Sequence, residues 1–190
     1  RERFREDGFL YFSTLLEPED VRAVRNTILK RLYEVGWLRT DTPPEAARPG
    51  AASHHDNGRI DGCEVVDPGW SEGYRAVQSI ETLHGLAHHP AVRKVVRALL
   101  GSDLVVHPRK IVRIAFPDPT FSTPPHQDWL FNAPTVDVVT AWIPLGWTPA
   151  HHGALKLVPG SAPAGPRKVV PADGLGGEAA EVDGKPWEWL

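Results

Sequence analysis

The sequence has no long apolar run and no strong excess of charge of either sign. No stretch approaches the roughly 20 consecutive apolar residues of a membrane-spanning helix, and we expect no signal peptide. The formal net charge of −3 argues against a surface dedicated to nucleic acid or to anionic membranes. We therefore expect a soluble, cytoplasmic protein with no nucleic-acid partner and no membrane partner.

Sulfur-containing side chains are nearly absent. Cys63 is the only cysteine, which excludes a disulfide within the chain and a cysteine zinc cluster, so a reducing compartment is expected. The sequence contains no methionine, and we expect Arg1 not to be a translational start and the chain to be trimmed. Arginine outnumbers lysine, and alanine, glycine and proline are abundant, which favours a bacterial source.

The composition suits one globular domain, because 41% of the 190 residues are hydrophobic and 24% are charged. Proline followed by two acids at 18–20 predicts the start of a helix. Its apolar positions recur at helical spacing at Val21, Val24, Ile28, Leu29 and Leu32. A second helix is predicted over 90–100 with Gly101 as its stop, and a shorter helical turn around 80–88.

Residues 40–73 carry no periodic pattern, and Pro, Gly, Asp, Asn and His are frequent among them. A long irregular stretch in a compact domain is typical of a functional lid or an insert. We therefore expect 40–73 to be an irregular lid or insert within a single domain that spans 1–190.

After Gly101 the apolar pattern changes from helical to strand-like. Short β-branched runs between turns that carry Pro or Gly predict strands over 104–106, 110–116, 136–143 and 154–158. Helices followed by strands predict an α+β fold, mainly β, with an antiparallel sandwich or barrel and flanking N-terminal helices. These strands are too few to close a barrel, so we expect the chain to lack the C-terminal strands.

The most informative motif is His126-Gln127-Asp128, which follows a proline-rich turn. Because residues i and i+2 of a strand point to the same face, the imidazole and the carboxylate can meet at one point. One histidine nitrogen and one carboxylate oxygen are two thirds of the facial triad that holds non-haem Fe(II). The segment His54-His55-Asp56 has the same spacing but no strand pattern around it, so His126 is the better metal candidate. Spacing alone leaves a surface-turn histidine as an equal alternative.

Three segments, in this order, resemble the phytanoyl-CoA dioxygenase family of Fe(II)- and 2-oxoglutarate-dependent oxygenases. They are His126-Gln127-Asp128, the run VVTAWIPL at 138–145 and the run GALKLVPGS at 153–161. The beginning of the chain also resembles the start of that family, through Phe4, Gly8-Phe9 and the helix start at 15–21. The resemblance covers nearly the whole chain except 40–73 and the tail.

The resemblance implies a double-stranded β-helix, a cupin-like jelly roll, with iron in its mouth. It implies that His126 and Asp128 are the catalytic pair and the first two iron ligands. Fe(II) is then the cofactor, with 2-oxoglutarate and O2 as co-substrates. Three further residues fall where relatives place groups of the 2-oxoglutarate pocket: Trp142, Thr123 and Gln78.

Lys110 is a fourth candidate for the cofactor pocket. It shares strand parity with Val112 and Ile114, so all three are expected to face the barrel interior. A solvated charge at a strand end remains an alternative for Lys110, and plain core packing remains one for Trp142.

Two features of the family are missing from the sequence. The family carries a distal histidine and, soon after it, an arginine that pairs with 2-oxoglutarate. Here no histidine follows His152, and Arg167 is the only later arginine. His151 and His152 fall where relatives carry Glu-Asn, so a turn is expected there rather than a ligand. We expect the missing residues to lie in the strands that the chain lacks.

The resemblance implies hydroxylation, desaturation or cyclisation of a small organic substrate, with release of succinate and CO2. Asp128 is the carboxylate that halogenases of this superfamily replace by a small residue, so halogenation is not expected. The bacterial composition favours a metabolite or natural-product intermediate as the substrate. Two alternatives remain, a non-catalytic cupin-fold binding module and a cupin metalloenzyme that does not use 2-oxoglutarate.

Overall fold

The chain divides into two units. Unit 1 comprises 1–15, 90–105 and 120–190, and unit 2 comprises 16–89 and 106–119. The structure, a computed structural model, describes residues 1–50, 60–61, 64–65, 68–101, 104–108, 110–114, 123–129, 135, 137–172, 178–181 and 188–189.

Helices are longer than strands throughout the described part of the chain. The helices are α1 (Glu2–Asp7), α2 (Pro18–Glu34), α3 (Pro68–Gln78), α4 (Glu81–Leu86) and α5 (Pro90–Leu100). The strands are β1 (Ile60–Asp61), β2 (Glu64–Val65), β3 (Lys156–Leu157), β4 (Val169–Pro171), β5 (Glu178–Ala180) and β6 (Glu188–Trp189). They pair antiparallel as β1 with β2, β3 with β6, and β4 with β5.

Helix α2 supplies much of the core of unit 2, as its apolar spacing predicts. Four of its five predicted core positions are buried, namely Val24, Ile28, Leu29 and Leu32. Pro18 stands in the first turn, and Glu19 and Asp20 lie near the positive end of the helix dipole. Helix α3 packs against this helix, and the predicted turn around 80–88 is present as α4.

The loop after α2 is anchored by Trp37, which is only 2% exposed. Its backbone N–H donates to the Leu32 carbonyl at 2.9 Å, and its carbonyl accepts from Gly50 N at 2.8 Å. The indole lies directly against Gly73 of α3, so close that a Cβ at that position would overlap the ring. Residue 73 therefore has to be glycine for the helix to approach the buried indole.

The stretch predicted to be irregular contains regular structure. A 3-10 turn at Pro44–Ala46 and the β1–β2 hairpin fall within 40–73, and α3 begins there at Pro68. Gly69 and Gly73 weaken the helical pattern in the sequence, so α3 is not predicted from apolar spacing. A role as a lid stays a prediction.

In unit 1, the N-terminal helix α1 is docked on the turn at 162–164. Gly8 ends α1 with φ of +83°, a conformation that favours glycine, and a Cβ there would lie 2.6 Å from Ala162 Cβ. Gly160 N donates to the Asp7 carbonyl at 2.8 Å. The predicted helix over 90–100 is confirmed as α5, and Gly101 follows it with φ of +74°.

The strands are fewer and shorter than the sequence pattern predicts. Strand β3 falls within the predicted 154–158, but none is assigned to the described residues of 104–106, 110–116 or 136–143. A strand needs a hydrogen-bonded partner, and an apolar β-branched pattern does not supply one. The α+β class is present, whereas the prediction of a mainly β fold is not met in the described residues. A continuous jelly roll is not formed among them either.

Within the described residues, no helix combines the length and the apolar character that crossing a membrane would require.

The contact between Gly73 and Trp37 predicts opposite effects for two glycine-to-alanine substitutions in unit 2. Gly73→Ala should lower the free energy of unfolding by about 1–3 kcal/mol, because the buried indole has no room to move away. Gly85→Ala, in α4, meets no atom within 4 Å and should be neutral or stabilise by up to about 1 kcal/mol through helix propensity. Urea unfolding of both variants tests this, and equal destabilisation by the two would contradict it.

Candidate functional site

The structure brings the side chains of His126 and Asp128 together in unit 1. His126 Nε2 lies 3.2 Å from Asp128 Oδ1, and the two side chains are 32% and 30% exposed. The segment that carries them is attached to strand β5, because Ala180 N donates to the Pro125 carbonyl at 2.6 Å. The imidazole and the carboxylate therefore do meet at one point, although no strand is assigned to 126–128 and the expected strand parity is not the cause.

The orientation of the His126 ring is fixed by the backbone two residues earlier. Its Nδ1 lies 2.9 Å from the Pro124 carbonyl oxygen, and since a carbonyl only accepts, Nδ1 carries the proton. Nε2 is then the ring nitrogen that faces Asp128 Oδ1. Metal-binding histidines are usually oriented in this way, with one ring nitrogen donating to the protein and the other bound to the metal ion.

The distance within the pair fits a divalent metal ion. Bonds of about 2.1 Å to nitrogen and oxygen at a right angle place the two donor atoms about 3.0 Å apart. The observed separation is 3.2 Å. A lone pair and a carboxylate oxygen repel each other at this distance unless a proton or a metal ion lies between them, so the donor set suits a cation.

The second oxygen of Asp128 has a different partner. Thr140 Oγ1 donates to Asp128 Oδ2 at 2.5 Å, from a segment 12 residues further along the chain. Thr140 is not among the site residues predicted from the sequence. Its strand parity could have pointed to it, because Thr140 and Trp142 are two positions apart and Trp142 is a candidate for the cofactor pocket.

Gln127, between the two candidate ligands, ties the segment to residues 165–167. Its Oε1 accepts from Arg167 N at 2.8 Å and from Trp129 Nε1 at 3.3 Å, and its Nε2 donates to the Gly165 carbonyl at 3.2 Å. From the sequence, Gln127 is only the middle residue of the motif and has no predicted role. Its three hydrogen bonds make it the residue that holds the pair in place from the other side of the segment.

The remaining predicted pocket residues are divided between the units. Thr123 and Trp142 belong to unit 1, where Thr123 is half-buried and Trp142 is 40% exposed. Gln78 and Lys110 belong to unit 2 and hydrogen-bond within it, Gln78 to the Tyr74 hydroxyl at 2.7 Å and Lys110 to the Pro108 carbonyl at 3.5 Å. Their roles in a cofactor pocket stay predictions.

No third metal ligand joins the pair in the part of the chain that the structure describes, where no group of three His, Cys, Asp or Glu side chains is found. His151 and His152 form a 3-10 turn, as expected, and stack edge-on against each other with ring centroids 4.4 Å apart. The alternative motif His54-His55-Asp56 and Cys63 lie outside the described residues.

Comparison with known proteins points to one family. Residues 4–174 match the sequence profile of the phytanoyl-CoA dioxygenase (PhyH) family. The chain is 30% identical over 172 residues to a protein of Streptomyces arenae named 1-deoxypentalenic acid 11-beta-hydroxylase. It is 31% identical over 173 residues to the protein of that name from Streptomyces exfoliatus. Each alignment covers 88% of this chain and 55% of the relative, so the chain spans about half the length of these curated relatives. No solved structure matches the chain significantly.

The hydrogen bonds of Gln127 predict a measurable loss of stability on substitution. Gln127→Leu removes the partner of Arg167 N and of the Gly165 carbonyl, and it should lower the free energy of unfolding by about 2–4 kcal/mol. Gln78→Leu is the matched control, because that side chain has one described hydrogen bond, to Tyr74, and should cost about 1 kcal/mol. Urea unfolding distinguishes the two, and equal costs would show that Gln127 does not hold the segment.

Proposed function

The chain belongs to the phytanoyl-CoA dioxygenase family, and from that premise we propose that it is an Fe(II)- and 2-oxoglutarate-dependent oxygenase that hydroxylates a small organic molecule. The observation that carries the proposal is the approach of His126 Nε2 to Asp128 Oδ1 at 3.2 Å, a bite suited to one divalent ion. The family membership also supports a jelly-roll arrangement of the whole protein.

His126 and Asp128 are the residues that would hold Fe(II). When bound, Fe(II) supplies the redox chemistry that couples O2 and the decarboxylation of 2-oxoglutarate, to succinate and CO2, to oxidation of a C–H bond. The chain supplies the geometry. The Pro124 carbonyl orients the His126 imidazole with Nε2 toward Asp128, and Asp128 contributes a negative charge that favours a divalent cation.

Two further residues of unit 1 are proposed for the co-substrate. Trp142 and Thr123 are assigned to the 2-oxoglutarate pocket, whereas a pocket role for Gln78 and Lys110 of unit 2 stays a prediction from the sequence. The distal histidine and the arginine of the family have no counterpart among the 190 residues, so their roles are not assigned to any residue here.

A natural-product intermediate is the proposed class of substrate. The two curated relatives are named as hydroxylases of 1-deoxypentalenic acid, an organic acid, and the similarity supports an organic acid as the first class to test. Asp128 retains its carboxylate, which favours hydroxylation over halogenation, as the sequence analysis predicts. We assign no nucleic-acid or membrane partner.

Turnover of 2-oxoglutarate tests the proposal. With Fe(II), ascorbate and O2 in the presence of 1-deoxypentalenic acid or related organic acids, the protein should form succinate. Asp128→Ala should lower the rate by more than about 100-fold, because loss of a ligand exceeds the 10–100-fold cost of losing an outer partner. Asp137→Ala is the control, since Asp137 is an exposed carboxylate of the same unit.

Three outcomes would contradict the proposal. Equal succinate formation by the Asp128→Ala and Asp137→Ala variants would show that the His126–Asp128 pair does not hold the metal. Metal binding by the folded protein without any succinate formation would instead favour a cupin metalloenzyme that does not use 2-oxoglutarate. No metal binding at all would favour the non-catalytic binding module.

A further inference from the structure

The two oxygens of the Asp128 carboxylate are used by different partners. Oδ2 accepts the hydroxyl of Thr140 at 2.5 Å, and Oδ1 lies 3.2 Å from His126 Nε2. An O–H···O⁻ distance of 2.5 Å is in the range of short hydrogen bonds to an ionised acceptor, which are about twice as strong as neutral ones. The hydroxyl therefore selects which oxygen of the carboxylate is turned toward the histidine.

A carboxylate can bind a metal ion through one oxygen or through both. Binding through both would require Oδ2 to leave Thr140 and rotate toward the metal. We propose that Thr140 is a positioning residue that holds Asp128 as a one-oxygen ligand beside His126, and thereby keeps a coordination position available to the co-substrate. This inference rests on the proposed function, because it assigns a role to Thr140 at the same metal site.

The exposure of the contact indicates that Thr140 acts on geometry rather than on folding. Thr140 is exposed and the Asp128 side chain is 30% exposed, so water can replace the hydroxyl as a hydrogen-bond partner if Thr140 is removed. Water satisfies Oδ2 without holding it in one position. Loss of the hydroxyl should therefore change metal binding while leaving unfolding nearly unchanged.

The chain provides a matched set of variants for the test. Thr140→Val keeps the shape of the side chain but removes the hydroxyl, and Thr140→Ser keeps the hydroxyl. Thr148→Val is the control, because Thr148 is a threonine of the same unit whose hydroxyl donates to the Gly146 carbonyl at 3.0 Å. All three are compared with the unsubstituted protein.

The primary measurement is an anaerobic titration with Co(II), followed by its visible absorption, without 2-oxoglutarate and without turnover. We expect the Kd of Thr140→Val for Co(II) to rise by about 10-fold, the low end of what loss of an outer-sphere partner costs. Thr140→Ser and Thr148→Val should bind as the unsubstituted protein does. The thermal unfolding midpoint of Thr140→Val should stay close to that of Thr148→Val.

The outcomes separate this inference from the proposed function. If the unsubstituted protein binds Co(II) and Thr140→Val binds it equally well, the positioning role is wrong while the metal site stands. If Thr140→Val and Thr140→Ser lose affinity equally, the hydroxyl is not responsible and the positioning role is wrong. If the folded, unsubstituted protein binds no Co(II), the metal site fails and the inference fails with it.

Discussion

His126 Nε2 and Asp128 Oδ1 face each other at 3.2 Å, and each is held there by a second hydrogen bond, to the Pro124 carbonyl and from the Thr140 hydroxyl. Because Nδ1 donates to a carbonyl, Nε2 is the ring nitrogen that faces the carboxylate. Such a pair is stabilised by a proton or by a metal ion shared between the two atoms. The surrounding contacts hold the segment that carries the pair, because Gln127 hydrogen-bonds to 165–167 and strand β5 hydrogen-bonds to Pro125.

Features that depend on neighbouring residues in the sequence could be predicted. Helix α2 and helix α5 follow from apolar residues at helical spacing, with a proline start in one and a glycine stop in the other. The nearness of His126 and Asp128 could be predicted from their i, i+2 spacing, whereas the contacts that hold them come from distant residues. The family could be named because three motifs occur in the right order over 126–161, and residues 4–174 do match it.

Features that depend on residues far apart in the sequence could not be predicted. Helix α3 was not predicted, because Gly73 weakens its helical pattern. The glycine is needed there to make room for the indole of Trp37, which lies 36 positions earlier. Thr140 reaches Asp128 across 12 residues, and Gln127 reaches Arg167 across 40. Strands were also predicted where none is assigned in the described residues. A β-branched pattern indicates a preference for extended backbone, but it does not show that a pairing strand is present.

The most direct test of the metal site is an anaerobic titration of Fe(II) with 2-oxoglutarate into the protein, followed in the visible range. Chelation of the metal by the co-substrate produces a charge-transfer band. We predict that the unsubstituted protein develops this band and that His126→Ala does not, with His152→Ala as the matched control that retains it. A folded, unsubstituted protein that develops no band, or an undiminished band in His126→Ala, would contradict a metal site built on His126 and Asp128.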